Sequence, residues 1–434
     1  MEEPVSRAQS LARALELART INDLEREGKV TPEIILWTRR AMAETEPQPG
    51  VALPLIEAIL RLPEDRQPAE LDALLDEAVE TYREDPWITQ EVLDLKAARL
   101  KGGTARGLLR QGQVEAWRRA AEKATGLVKI SFLQRALDLA RLHGLNETAD
   151  ALRRELQEIS PEDLDLKEVS SSVSVSSQQV EEYVEAFIGD SWKRSLERMG
   201  AIGPPSGEYE ANLAEVEQQI KQFPIQYLVT KIILGPGNIP IAAIQGEEQH
   251  REAALIEREA TAIALGAHFR AEVLDRIKNR FGTPRDDELT EFFTTPLISE
   301  EVAERIGRAL ALFWESQFDE SALVLLPRIE SVIRAIVREM GLAIMVEAQG
   351  DRPGRVKMLR ELLSSLRGRY EESWRRYLVN LLVEPLGTNL RNTHLHGLRA
   401  SADRDEAAIL IHVACHLRLI RLTPQSPPDS SGRQ

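Results

Sequence analysis

Apolar residues recur at steps of three and four along most of this chain, a spacing that predicts helices rather than strands. In "LDALLDEAVETYRE", residues 71–84, and "FLQRALDLARLHGLNETADALRRELQEI", residues 132–159, they fall on one face of a 3.6-residue turn. Gly144 ends one helix of the second stretch and "NET" opens the next, so the two are expected to form an antiparallel hairpin. They loosely resemble solenoid repeats, but no sustained period connects them.

The helical pattern breaks twice. "SSSVSVSSQQ", residues 170–179, is small, polar and nearly uncharged, and reads as a flexible linker. In "YLVTKIILGPGNIPIAAIQG" two β-branched runs flank Gly235-Pro236-Gly237-Asn238, which predicts a β-hairpin over residues 226–245. That turn lacks the Lys-Ser/Thr ending of a phosphate-binding loop and the spacing of a dinucleotide fingerprint, so it is read as a turn.

From residue 298 the helical spacing returns. "SEEVAERIGRALALFWESQ" starts at Ser299 with acidic residues behind it. In "ESALVLLPRIESVIRAIVREM", Leu323, Leu326, Ile329, Ile333, Ile336 and Met340 predict one face of a long helix, kinked or restarted at Pro327. Shorter helices are expected around "GRVKMLRELLSSLRG" and "EESWRRYLVNLLVEP". A final helix, Asp403 to Leu422, opens with Asp403 and Glu406 in capping-box spacing. The tail, "TPQSPPDSSGRQ", is expected to be disordered.

The pattern predicts a mainly α, multi-domain helical protein with one short β-hairpin. Its expected parts are an N-terminal helical domain 1–168, a Ser-rich linker 169–179, a middle helical domain 180–297, a C-terminal helical domain 298–422 and a tail 423–434.

Composition narrows the class. The 434 residues are 43% hydrophobic and 29% charged, with only 5% aromatic, so Leu, Ile, Val and Ala must build the cores. Cys415 is the only cysteine, which excludes an intrachain disulfide and fits a reducing compartment. The first residues lack a signal-peptide pattern, and the longest apolar run, "AAILIHVAC", is too short to span a bilayer. A cytoplasmic protein without membrane contact is expected.

The net charge of −15 argues against a broad nucleic-acid-coating surface. Charge is unevenly placed, however. Between Arg352 and Arg421 thirteen Lys/Arg face seven Asp/Glu, and this basic window holds "PLGTNLRNTHLHGLRA", residues 385–400. Its arginines are read either as solvated helix faces or as ligand contacts.

In that segment Pro385 and Gly387 stop one helix and Thr388 or Asn389 can cap another, placing a helix N-terminus beside Arg391. Such an end attracts phosphate, and a guanidinium fork suits phosphate oxygens. Asn392 and His396 are four residues apart, about 40° around a helix, whereas Arg391 and His396 are about 140° apart. With that second separation both can line one cleft only if the long stem of Arg391 bends over Asn392 or if another copy of the helix completes the site, which hints at a dimer. An imidazole here has the chemistry to take a proton from a 2′-hydroxyl or give one to a leaving 5′-oxygen, with Arg391 stabilising charge on the phosphorus-bound oxygens and no metal or cofactor called for. The plainer alternative is that Asn392 and His396 satisfy backbone groups at a helix end.

Arg391-Asn392-Thr393-His394-Leu395-His396-Gly397 reads as RNxxxHG, and with the upstream "LLPRIE" helix it resembles a poorly characterised bacterial branch of the HEPN superfamily over residues 298–422. The resemblance implies a C-terminal helical bundle that dimerises and acts as a metal-independent endoribonuclease on RNA, in stress or anti-phage defence as a toxin. It implies Arg391 and His396 as the catalytic pair, with Asn392 orienting them. Arg399 and Arg334 are read as substrate contacts, and His394 as a substrate contact or, the favoured alternative, a surface residue, with Glu330 and Asn389 behind them. Glu330 and Arg334, one turn apart, are read first as a structural ion pair. A trigger or protein partner falls to residues 1–297. The alternatives are an inactive scaffold that dimerises and binds nucleotide beside a separate effector, or a purely helical adaptor.

Two other histidine patterns are read as structural. His412 and His416 have metal-ligand spacing but no third ligand, and they sit in an apolar helix, so they are expected in the core. His250 in "GEEQHREAALIERE" lacks the HExxH order and is expected to be solvated.

Overall fold

The computed structural model describes residues 4–100, 103–160, 175–227, 229–235, 240–348, 350 and 353–421. The chain forms two compact units, one of Met1–Val169 and one built from Ser170–Pro236 and Pro240–Gln434. The protein is mainly α, with two very short antiparallel β-pairs among the described residues. No helix there is long and apolar enough to cross a membrane.

The first unit is a run of helices: α1 Pro4–Thr20, α2 Leu24–Met42, α3 Pro49–Leu60, α4 Leu71–Thr81, α5 Pro86–Arg99, α6 Gly103–Lys123, α7 Gly126–Leu142 and α8 Asn146–Gln157. Leu15, Ile34, Leu55, Ile56, Leu71 and Leu74 fill one of its cores, the apolar faces that the three- and four-residue spacing marks out. The start of α5 shows why the chain turns there: Asp85 accepts from the free amides of Trp87 and Ile88, and Pro86 takes the position that needs no donor. Gly144, at φ 70°, ends α7 and lets Leu145 N donate to Ala140 O, so α7 and α8 pack as the expected hairpin.

The second unit comprises α9 Ser177–Phe187, α10 Trp192–Ala201, α11 Tyr209–Gln222, β1 Lys231–Leu234, β2 Pro240–Ile244, α12 Gly246–Phe281, α13 Asp286–Phe293, α14 Glu300–Trp314, α15 Phe318–Glu339, β3 Met345–Val346, β4 Arg355–Val356, α16 Leu359–Ser365, α17 Glu372–Leu382, α18 Leu390–Leu395 and α19 Arg404–Leu419. The predicted hairpin is present: Lys231 pairs with Ile244 and Ile233 with Ala242 in antiparallel register. Its turn residues Pro236–Asn238, residues 170–174 of the Ser-rich stretch and the C-terminal tail lie outside the described residues. Residues 180–297 and 298–422 contribute to one apolar core, which runs from Val184 on α9 to Leu417 on α19. α19 is its axis, buried from Ala407 through Cys415 between α10, α12, α14 and α15. Gly200 allows the closest of these approaches, since a Cβ there would lie 2.6 Å from the Cys415 carbonyl carbon.

Three expectations are corrected. Of the two alternatives at Pro327 the restart is excluded, since α15 runs as one helix from Phe318 to Glu339. Its buried stripe is wider than the one read from the sequence, running through Ala322, Leu325, Val332 and Val337 as well, because α14 and α19 flank it, and Leu323 is left 42% exposed. His250 is not solvated: α12 carries it into the interior at 4% exposure.

His412 and His416 are packed, as expected. His412 Nδ1 lies 3.0 Å from the Tyr377 hydroxyl. His416 Nδ1 is 3.0 Å from the Gly200 carbonyl, which can only accept, so Nδ1 carries the proton and Nε2 accepts from the Tyr370 hydroxyl. The His416 ring stacks on Trp374. Burial pushes the His416 pKa down to about 4 and holds His412 well below its usual range.

A histidine kept neutral in the fold but free to protonate when unfolded stabilises fully above pH ~6.5 and loses that contribution as pH falls towards its folded pKa. For His416 the loss is of the order of 3 kcal/mol by pH ~4. Urea unfolding between pH 7.5 and 4.5 should therefore show a shallower decline for His416→Gln than for wild type. Parallel declines would mean that His416 does not stay neutral in the folded protein.

Candidate functional site

The motif is positioned by a buried amide. Asn380, 1% exposed on α17, donates from Nδ2 to Ile256 O on α12 at 2.9 Å. Its Oδ1 accepts from Thr388 N at 3.3 Å and its carbonyl accepts from Asn389 N at 3.1 Å. The loop between α17 and α18 is thereby fastened to the long helix. Gly387 makes this possible, because a Cβ there would sit 2.4 Å from Asn380 Oδ1 and 2.8 Å from its backbone oxygen.

Asn389 then takes a left-handed conformation, φ 54°, which asparagine tolerates better than most residues. It stands at the N-cap position, yet its side chain does not cap α18; instead Oδ1 accepts from Asn392 Nδ2 at 2.8 Å. α18 has only six residues, so the strong positive helix end expected beside Arg391 does not form. Recognition of an anion here has to come from side chains.

Those side chains form a chain of contacts. Arg391 Nη1 donates to Asn392 Oδ1 at 3.1 Å and Nη2 reaches Glu330 Oε2 at 3.4 Å. Arg334 donates to the other oxygen of Glu330 at 2.7 Å. Glu330 thus forms the read ion pair with Arg334 and also holds Arg391. One carboxylate serves two guanidiniums, leaving a net positive charge at a partly open place: the Arg391 side chain is 22% exposed and that of Arg334 29%. Among the described residues, Nε of each arginine has no hydrogen-bond partner. His396 follows α18 as its C-cap residue and is exposed. Arg391, Asn392, Asn389, Glu330 and Arg334 are brought together by α15 and α18.

His394 is a correction. The motif alone reads it as a surface residue or a substrate contact; its ring is instead buried, and Nε2 lies 3.1 Å from Glu406 Oε2. Burial, and then the charge of Arg399, lower its pKa. Glu406 also pairs with Arg399, so Arg399 is engaged by the same carboxylate while its side chain stays half exposed. The capping box predicted at Asp403 is formed, with Glu406 N donating to Asp403 Oδ1 at 2.9 Å. Glu406 therefore caps α19 and ties the end of the motif to it.

Sequence reasoning did not single out Asn380, Gly387 or the tertiary role of Glu406. A lone asparagine inside the apolar "YLVNLL" was the available signal for Asn380. Comparison of the chain with family models, curated proteins and solved structures finds no match.

Gly387→Ala forces a methyl group onto two oxygens of Asn380, one of them backbone, and should destabilise the protein by roughly 1–3 kcal/mol. The urea midpoint should fall with an unchanged slope; an unaltered midpoint would show that the loop is not pressed on Asn380.

Proposed function

We propose that the C-terminal part of this chain is an endoribonuclease of HEPN type that cleaves RNA through the 2′-hydroxyl. The observation that carries the reading is the pairing of two guanidiniums, Arg334 and Arg391, with the single carboxylate of Glu330, Arg391 standing five residues before the exposed imidazole of His396 in sequence. Neither Arg391 nor His396 is turned into the apolar interior.

In this reaction His396 takes the proton of the 2′-hydroxyl, and the 2′-oxygen attacks phosphorus. The P–O5′ bond breaks and a second proton donor protonates the departing oxygen, leaving a 2′,3′-cyclic phosphate and a 5′-hydroxyl. Arg391, with Arg334 behind it, stabilises the charge that gathers on the non-bridging oxygens. Asn392 orients Arg391, and Glu330 fixes its place. Activity against RNA in stress or phage defence follows from the family resemblance of the RNxxxHG segment alone.

Incubation with total RNA in EDTA tests the reading. Wild type is expected to cleave, and Arg391→Ala and His396→Ala to lose about a hundredfold or more in rate. His396→Ala, at an exposed position, should unfold like wild type. No cleavage by wild type, or equal cleavage by both variants, removes the enzyme reading. Arg391-dependent nucleotide binding without cleavage would select the scaffold reading instead.

A further inference from the structure

A groove of ≈ 520 Å³ lies along α2 in the first unit. Leu24, Gly28, Pro32 and Ile35, at steps of four, four and three, line it from the helix. Arg66, Pro68 and Glu70 line it from the segment that leads into α4. A neighbouring stripe of the same helix, Ile34, Thr38 and Ala41, is buried in the core, so the groove stripe is the part of α2 that the fold leaves uncovered. Leu24 is 58% exposed there, and Gly28 and Pro32 are exposed. From Leu24 to Ile35 the groove follows three turns, about 16 Å of helix.

Glycine and proline are the two poorest residues for a helix interior, and α2 carries both, four apart, on this stripe. The packing of the unit does not ask for the glycine. A Cβ at Gly28 would meet nothing within 4 Å, unlike the crowded Gly200 and Gly387. Pro32 has no amide proton to offer the Gly28 carbonyl, which therefore lacks the donor that a regular helix supplies four residues on. Both features suit the close approach of another chain: the missing side chain admits its backbone, and the carbonyl can accept a hydrogen bond from it. The charges indicate the partner's sign. Arg66 Nη1 is engaged by Glu27 Oε2 at 3.4 Å and Asn22 Oδ1 at 3.2 Å. Among the described residues Glu70 and Asp65, both exposed, have no ion pair, so the rim carries uncompensated negative charge.

We propose that this groove docks a basic amphipathic helix of a partner protein, its apolar face on Leu24 and Ile35, its backbone against Gly28 and a lysine or arginine at Glu70. Three turns of a partner helix match the length of the groove, and apolar anchors spaced by three and four residues reach both of its ends. Opposite charge at the rim fixes the direction in which such a helix lies. The proposal is independent of the ribonuclease reading, since it concerns other residues.

Fluorescence anisotropy with the full chain and a labelled synthetic helix is the test. The probe is a peptide of about 18 residues with leucine at steps of three and four and lysine on its other face. It should bind saturably, with a Kd of about 100 μM or tighter, and the same peptide with glutamate in place of lysine should bind at least about tenfold more weakly. Gly28→Leu, which fills the groove from an open position, and Glu70→Lys should each weaken binding about tenfold or more. Gly28→Leu should not lower the urea midpoint, because leucine is the better helix former. Leu142→Ser, on the exposed end of α7, and Arg391→Ala should leave binding unchanged. The proposal is overturned by binding weaker than about 1 mM, by wild-type affinity in both groove variants, or by equal binding of the two peptides. Sedimentation of the chain alone decides the remaining case: a dimer that Gly28→Leu abolishes would make a second copy the occupant and overturn the partner helix.

Discussion

The candidate site depends on one buried side chain. Asn380 joins three stretches far apart in sequence: it donates into α12 at Ile256 and receives the amides of Thr388 and Asn389, which lead into the motif. A buried carboxamide left without partners is expensive, so this residue fixes the loop in one arrangement. The left-handed Asn389 and the position of Arg391 follow from that arrangement. What looks like a loop motif is in effect an extension of the helical core.

The same logic governs the charges. Glu259, 2% exposed on α12, is held by Arg376 at 2.6 Å and lies 3.4 Å from Asn380 Nδ2, so the amide and the ion pair support each other. Burial raises the Glu259 pKa, and the hydrogen bond from Arg376 offsets part of that rise. Breaking such a pair is far more damaging than its net contribution suggests, because one buried charge is left behind. Glu406 does comparable duty with His394 and Arg399. Arg270 is the exception on the long helix: among the described residues no carboxylate pairs with it, and it meets the Tyr183 hydroxyl instead.

The helical class of the chain was legible because periodicity at three and four residues survives wherever a helix has one apolar face. The α7–α8 turn at Gly144 and the Asp403–Glu406 box were legible because caps are local chemistry. α12 was harder to read. Its buried positions include His250, Glu259 and Arg270, which interrupt the apolar spacing, and the burial of Glu259 is made tolerable by Arg376, more than a hundred residues away. His394 misled for the same reason: next to the exposed Leu395 and His396 it looks like surface, and only Glu406, twelve residues on, makes its burial favourable. In the site, the cluster of residue types could be read from the motif, whereas Glu330 as a bridge between two arginines required the packing of α15 on α18. The β3–β4 pair, two residues a side, is too short to leave a pattern.

The proposed chemistry also sets a condition on assembly. In-line displacement at phosphorus needs a base on the side of the attacking 2′-oxygen and an acid on the side of the departing 5′-oxygen, and one imidazole cannot occupy both positions at once. Among the motif residues His394 is unavailable for either task, buried against Glu406, which leaves His396 as the motif's exposed imidazole. Ideal helical spacing would set Arg391 and His396 about 140° apart. Under the proposed reaction, a second copy that brought its own His396 to the opposite side of the phosphate would supply the acid. The net positive charge around Glu330 would then be doubled, and the phosphate would offset the repulsion between the two copies.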